Sequence, residues 1–205
     1  VKQGLLTDLL TRGVDENGEL RPSPEEAPEL YKESSLGVIP REWDVLSSLD
    51  ICETVADGTH DSPKPAKHGY PLVTSKNLKP DGLDLEDTYL ISKRDYRAVI
   101  TRSWVEPGDI LYGMIGTVGN PAIIEPGMQD IAAKNVGIFR FGGNYQRGQY
   151  VLWILRSLIA SCQIDKMIAG STQKFVPLHV LRSLLFPLPK KEEIETLTEI
   201  LDAYE

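Results

Sequence analysis

With 205 residues, 41% of them hydrophobic, the chain is long enough to bury about 70% of its unfolded surface without a metal or disulfide staple. Its 30 acidic and 22 basic side chains give a net charge of -8, which argues against an evenly spread nucleic-acid surface. The two cysteines, Cys52 and Cys162, form no CxxC pair and no disulfide framework, which excludes zinc ribbons and knottins and fits a reducing, cytoplasmic compartment.

The longest apolar candidate, Tyr150 to Ile168, is interrupted by Arg156, Gln163, Asp165 and Lys166, so no membrane span and no membrane partner is predicted. The start carries no secretion-signal pattern, and Val1 in place of methionine suggests a processed chain or a piece of a longer one. Length alone predicts one domain with appendages or two small ones. The charge is segregated: residues 1–50 sum to -6, residues 51–189 to +2 and residues 190–205 to -4. A mildly basic body is thus flanked by two acidic segments.

In chain order, Leu5, Leu6, Leu9 and Leu10 recur at helical spacing and Gly13 is a plausible stop, which predicts the last turns of a helix over residues 1–12. Asp15 to Ser35, with three prolines, six glutamates and an Asn-Gly pair, has the composition of a linker, assigned to residues 13–43. Within Leu36 to Trp43 the chain becomes apolar again, and Trp43 is expected to be packed.

Short apolar runs follow, at Ile51–Val55, Tyr70–Thr74, Thr88–Ile91, Ile110–Ile115, Ala122–Glu125 and Val136–Phe141, each reading as a strand between glycine-rich turns. Tyr150 to Ile168 reads as one long amphipathic helix, Pro177 to Leu184 as a short one in which His179 is structural, and Leu185 to Leu188 as a last extended piece. Ile194, Leu197, Leu201 and Tyr204 then step at heptad spacing. The pattern predicts an α+β fold: a small mixed sheet or barrel over residues 44–189 with a long helix, flanked by partial coiled-coil-type helices at 1–12 and 190–205.

Asp57-Gly58-Thr59-His60-Asp61-Ser62-Pro63-Lys64 places two carboxylates, a histidine and two hydroxyls within eight residues. Three readings stay open: a turn with polar tips, a metal or general-acid site, or a loop that with Lys64, Lys67 and His68 touches nucleic acid. Tyr112 to Pro121 lacks the GxGxxG order of a dinucleotide loop and reads as a strand and turn. Ala132-Ala133-Lys134-Asn135 and Gly170-Ser171-Thr172-Gln173-Lys174 each set a lysine beside amide or hydroxyl groups, either as solvated loop ends or as groove and phosphate contacts. No GxSxG elbow, P-loop or HExxH is present, and no acidic residue stands two positions before a lysine, so catalysis has no visible home.

Taken in order, several of these stretches carry a family likeness. Gln3-Gly4-Leu5-Leu6 through Thr11-Arg12-Gly13, Leu36 to Trp43, Asp57-Gly58-Thr59-His60, Thr74-Ser75-Lys76-Asn77, Gly108-Asp109-Ile110-Leu111, Lys134-Asn135-Val136, Gly170 to Lys174 and Phe186-Pro187-Leu188-Pro189 together resemble the specificity subunit of type I restriction-modification systems. The resemblance implies a target recognition domain that reads one half of a split sequence in double-stranded DNA. It also implies conserved helices that dock methyltransferase (M) subunits and, through them, restriction (R) subunits. S-adenosylmethionine is then expected on the methyltransferase subunit, with no cofactor, metal or catalysis in this chain.

Three departures stand out: one recognition domain where two are usual, helices reduced to stumps, and Glu192-Glu193-Ile194 where Glu-Gln-Ile is often seen. The first two suggest half of a full-length subunit, excised or natural; a natural half would form a homodimer to restore both readers. The expected DNA contacts are His60, Ser62, Lys64, Lys67, Lys76, Asn77, Lys134, Asn135, Gln173 and Lys174, the lysines on phosphate and the amides on adenine. Leu5, Leu9, Ile194, Leu197 and Leu201 are the expected partner-helix positions. Competing readings are a protein-interaction scaffold without DNA contact and a metal-dependent nuclease using Asp57, His60 and Asp61.

Overall fold

The computed structural model describes residues 3–128, 130–168 and 175–203. Helix α1, Gln3–Arg12, buries Leu6, Leu9 and Leu10 and ends where Gly13 turns left-handed (φ +65°), donating its N–H to the Leu9 carbonyl at 3.1 Å. A Cβ at Gly13 would also lie 2.2 Å from Glu193 Oε1 and 2.4 Å from the Trp43 ring, so backbone conformation and space both demand glycine there.

The linker expected over 13–43 is folded instead. Val14 bridges Leu20, Pro28–Leu30 makes a 3-10 turn, and strands β1, Tyr31–Ser34, and β2, Gly37–Pro40, form an antiparallel hairpin. A few apolar residues explain the difference: Val14, Tyr31, Ile39 and Trp43 are buried while the glutamates face outward, so composition averaged over the segment hid an anchored surface layer.

Strand β3, Asp44–Ser47, leads into a single helical turn, α2, Ser48–Ile51, which Ser47 and Asp50 close as a capping box. The strand predicted at Ile51–Val55 is therefore displaced to β4, Thr54–Asp57. Strands β5 (Pro65–Ala66), β6 (Tyr70–Val73), β7 (Leu78–Lys79), β8 (Gly82–Leu83) and β9 (Leu90–Ile91) follow.

Helix α3, Lys93–Ser103, comes next; Ser92 Oγ caps it by accepting the Asp95 N–H at 3.1 Å. Its far end is fixed by Arg140, whose guanidinium donates to the Arg102 and Trp104 carbonyls and lies 4.5 Å over the Trp104 ring. Strands β10 (Ile110–Gly113), β11 (Gly119–Ile123), β12 (Ala132–Ala133) and β13 (Val136–Arg140) complete the central region.

The predicted long helix is two: α4, Tyr145–Leu155, and α5, Leu158–Ile168. Ser157 makes the break, its hydroxyl donating to the Ile154 carbonyl at 2.7 Å and accepting the Ile159 N–H at 3.2 Å. Helix α6, Leu178–Arg182, buries Val180 and Leu181 but leaves His179 exposed, so that histidine is not a core residue. Strand β14, Leu185–Leu188, and helix α7, Lys191–Asp202, end the described chain.

The strands assemble into two open four-stranded sheets, antiparallel β11-β10-β13-β4 and mixed β12-β6-β9-β5 with β12 parallel to β6, plus two-stranded pairs. The β14–β3 pair sets Leu185 opposite Ser47 and Leu188 opposite Asp44, so the two ends of residues 44–189 meet. The architecture is α+β, as the sequence predicted.

One large core joins the terminal helices to the body: Leu6, Leu9 and Leu10 share it with Ile39, Trp43, Tyr150, Ile154, Phe186, Ile194, Leu197 and Leu201. Of the five positions expected to face partner helices, Leu9, Ile194, Leu197 and Leu201 are buried in this core and Leu5 packs partly against it. A heptad seam and the inner face of an ordinary amphipathic helix have nearly the same spacing, and here the chain covers its own seam. Asp202 locks α7 to α4 by accepting Trp153 Nε1–H at 2.7 Å and a Gln149 amide N–H at 3.0 Å. Among the described residues no helix is long and apolar enough to cross a membrane.

Candidate functional site

The polar stretches singled out from the sequence converge at the ends of β4 and β12. The Gly58 N–H donates to the Val136 carbonyl (2.8 Å), Thr59 N–H to the Ala133 carbonyl (2.9 Å) and Asn135 N–H to the Thr59 carbonyl (3.1 Å). Thr59 and Lys134 thus form a parallel bridge, while Lys134 N–H also donates to the Val73 carbonyl at 2.8 Å. Two local features permit this. A Cβ at Gly58 would lie 2.5 Å from the Ala133 carbonyl oxygen, and Asn135 adopts φ +53°, a conformation that asparagine tolerates better than most residues.

This crossing puts side chains together that lie 75 positions apart in sequence. His60 Nδ1 is 2.8 Å from Asn135 Oδ1, and His60 Nε2 is 3.0 Å from Asp57 Oδ2. Lys134 Nζ donates to Ser62 Oγ. His60, Ser62, Lys134 and Asn135 therefore form one hydrogen-bonded surface, with His60 exposed and Lys134 and Asn135 partly covered.

Grooves open on either side. One of about 490 Å³ runs between Asp57–Pro63 and α3, whose Asp95, Val99 and Arg102 line it. The other, about 410 Å³, is lined by Thr74–Asn77, Asp87–Tyr89, Ile115, Lys134 and Asn135. Lys76 stands exposed at its rim, and the Ser75 hydroxyl is buried with no hydrogen-bond partner among the described residues.

Asn77 has a structural role. It is buried, and its side-chain carbonyl accepts both the Thr74 N–H (3.0 Å) and the Thr74 hydroxyl (3.1 Å), while its amide donates to the Asp87 carbonyl at 3.4 Å. Its carbonyl is thus committed to the turn and one amide N–H to the Asp87 carbonyl. Its motif, Thr-x-x-Asn, is a capping box closed on one 3-10 turn.

Lys64 and Lys67 are exposed on either side of the edge strand β5, with no ion pair to the His60 surface. Gln173 and Lys174 lie outside the described residues. Phe175, which follows them, pairs with Ile115, and Ile115 lines the same groove as Lys134. For the Asp57–His60–Asp61 set, both ring nitrogens of His60 already face side-chain acceptors, and no group of three metal-ligating side chains occurs among the described residues.

Sequence reasoning missed Asp95 and Arg102, which reach the first groove from α3. The signal was present as Ser92-x-x-Asp95, a helix-start signature, but the helix is so polar that its apolar stripe reduces to Tyr96 and Val99. It also gave no role to Asp109. That side chain is fully buried, accepts the Glu106 N–H at 3.0 Å and the Phe141 N–H at 3.1 Å, and burial pushes its carboxyl up to about 6. Neighbouring Cys52 is pushed up to about 12, chiefly by burial, and both cysteines are free thiols.

No family model matches the chain. In sequence it is similar to the putative type I restriction enzyme MjaX specificity subunit of Methanocaldococcus jannaschii, at 27% identity over 189 residues, covering 86% of this chain and 43% of that protein. It is similar too to the MjaVIII specificity subunit of the same organism, at 22% identity over 213 residues, covering 98% and 45%. In structure it matches the HsdS subunit from Thermoanaerobacter tengcongensis with a TM-score of 0.59 at 14% identity, covering 87% of this chain and 41% of that one. A chain from a structural study of type I restriction-modification complex assembly and conformational transition gives 0.61 at 15% identity, covering 88% and 42%.

The mixed α+β arrangement of small sheets and helices is therefore that of solved specificity subunits. The chain is a homologue of the specificity subunits of type I restriction-modification systems, and it spans a little under half the length of the relatives it matches.

Proposed function

We propose that the chain is one target-reading half of such a subunit: it binds one half of a bipartite sequence in double-stranded DNA, docks methyltransferase subunits, and through them serves the restriction subunits. It performs no chemistry of its own; S-adenosylmethionine and the methyl transfer belong to the partner in this reading, and the complex works in the cytoplasm. Residues 44–189 form the reader, with residues 1–12 and 190–205 belonging to the flanking spacer helices. A natural half would pair with a second copy to restore two readers.

The observation that carries the proposal is the convergence of His60, Ser62, Lys134 and Asn135 into one polar surface beside a groove rimmed by Lys76. Lysine and amide groups held together on loops supply phosphate anchoring and base-edge pairing at one place. Lys64 and Lys67 would extend the phosphate track along β5, and Gln173 and Lys174 would enter beside Phe175.

The test is fluorescence anisotropy with labelled duplexes across a salt series. Lys134→Ala and Lys64→Ala are each expected to weaken binding and to lower the salt slope by about one unit. Unchanged affinity and slope in both would remove these loops from the interface, and no saturable binding at low salt would favour the scaffold reading.

A further inference from the structure

The contact between His60 and Asn135 has a chemical consequence beyond holding two loops together. His60 Nε2 faces the Asp57 carboxylate at 3.0 Å and Nδ1 faces the Asn135 carbonyl oxygen at 2.8 Å. Both partners as placed are acceptors, so the arrangement is fully satisfied only by an imidazolium with a proton on each nitrogen. A neutral ring has one N–H. The carboxylate is the stronger acceptor and keeps it, leaving Nδ1 as a bare lone pair. Asn135 then satisfies Nδ1 by turning its amide half a revolution and donating from Nδ2.

The side-chain amide is planar and presents a donor and an acceptor side by side. Turning it reverses their order along the exposed edge. Base edges in the major groove are told apart by the order of donors and acceptors, adenine offering N6–H and N7 together. We propose that His60 is a positioning residue that fixes the orientation of the Asn135 amide and so selects which base edge that amide accepts, the charged and neutral rings favouring opposite orders. The inference rests on the DNA-reading proposal above.

Other charged groups face the ring's surroundings. They are Asp57 at the end of β4, Asp61 on the ring's own loop, Lys134, which is engaged by Ser62, and Asp95 and Arg102 across the groove on α3. Histidine is the side chain whose ordinary charge change falls between pH 5 and 8, which makes the orientation accessible to experiment.

The experiment selects bound duplexes from a randomised half-site pool with the purified chain at pH 5.5 and pH 8.0. For the unmodified chain, the base distribution at one position is expected to change by about fivefold or more between the two pH values. The His60 side chain is 72% exposed, so His60→Ala should fold normally; it is expected to abolish the pH-dependent change in base distribution. Asn135→Asp, which offers two acceptors in either orientation, is expected to give one preference at both pH values.

Selective binding whose base distribution is identical at both pH values, or a His60→Ala chain that keeps the pH-dependent distribution, overturns the inference and leaves DNA reading standing. Absence of any selective binding by the unmodified chain overturns the DNA reading and the inference together.

Discussion

Glu193 and Arg21 are joined by a two-pronged ion pair across 172 positions of sequence, with Arg21 Nη2 at 3.1 Å from Glu193 Oε2 and Nη1 on Oε1. The same carboxylate accepts Trp43 Nε1–H at 3.0 Å and the Val14 N–H at 3.1 Å. Four donors from three separate segments thus end on one side chain in the first turn of α7. A carboxylate suits this position because Arg21 faces it with two N–H groups. Glu193→Ala should cost about 2–4 kcal/mol, because it strands a guanidinium and an indole N–H that are mostly covered. Urea unfolding measures it, and a loss below ~0.5 kcal/mol would show the pair to be ornamental.

Asp109 predicts a pH dependence of stability. Its carboxyl is raised to about 6 in the folded chain by burial, above the ~3.9 of an unfolded aspartate, so the native state holds this proton more tightly. Its contribution to stability is fully present below about pH 4 and is lost as pH rises through 6, a change on the order of 2–3 kcal/mol. Urea midpoints between pH 4 and 7 should show this fall, and Asp109→Asn should flatten it. An equal slope in both proteins would contradict the assignment.

Asn77 and Lys76 are neighbours with opposite expected phenotypes. Asn77→Ala removes the acceptor for two Thr74 donors and should lower stability by about 1–2 kcal/mol. Lys76→Ala, on an exposed rim, should leave stability within about 0.5 kcal/mol while weakening binding to any duplex. Thermal melts paired with anisotropy separate the two; a destabilised Lys76→Ala chain would undo the division.

Gly58 sets the meeting of the two loops. Gly58→Ala forces a methyl group toward the Ala133 carbonyl oxygen, which is backbone and cannot swing aside, so the loops must part. The expected result is loss of the His60–Asn135 contact, seen as a shift of the Asn135 side-chain amide resonances, with a stability loss of about 2 kcal/mol or more. Unmoved resonances would mean that the backbone absorbs the methyl group.

Much of the fold was legible wherever apolar spacing matched the final burial. The strands at Tyr70–Val73, Ile110–Gly113 and Val136–Arg140 and the terminal helices fall where their apolar residues place them. Three elements escaped, each for a local reason. Ser157 divides a continuous apolar pattern by hydrogen bonds that periodicity does not register; α3 is too polar to show its stripe; and the hairpin at 31–40 is concealed by surrounding glutamates.

At the site, motifs flagged separately as Asp57–Lys64 and Lys134–Asn135 proved to be halves of one surface, which depends on a parallel bridge no single stretch encodes. Asn77 shows the converse: the turn that its side chain closes was not legible from an amide beside a lysine.

The left-handed backbone at Asn135 limits what this corner of the molecule can ever become. Only glycine, asparagine and aspartate settle there readily, because a branched or bulky side chain crowds its own carbonyl. The position therefore has a vocabulary of three: an empty socket, a carboxamide or a negative charge. In the proposed reading, a change of target preference at this one position is limited to those three, whereas the histidine facing it sits on backbone without that restriction.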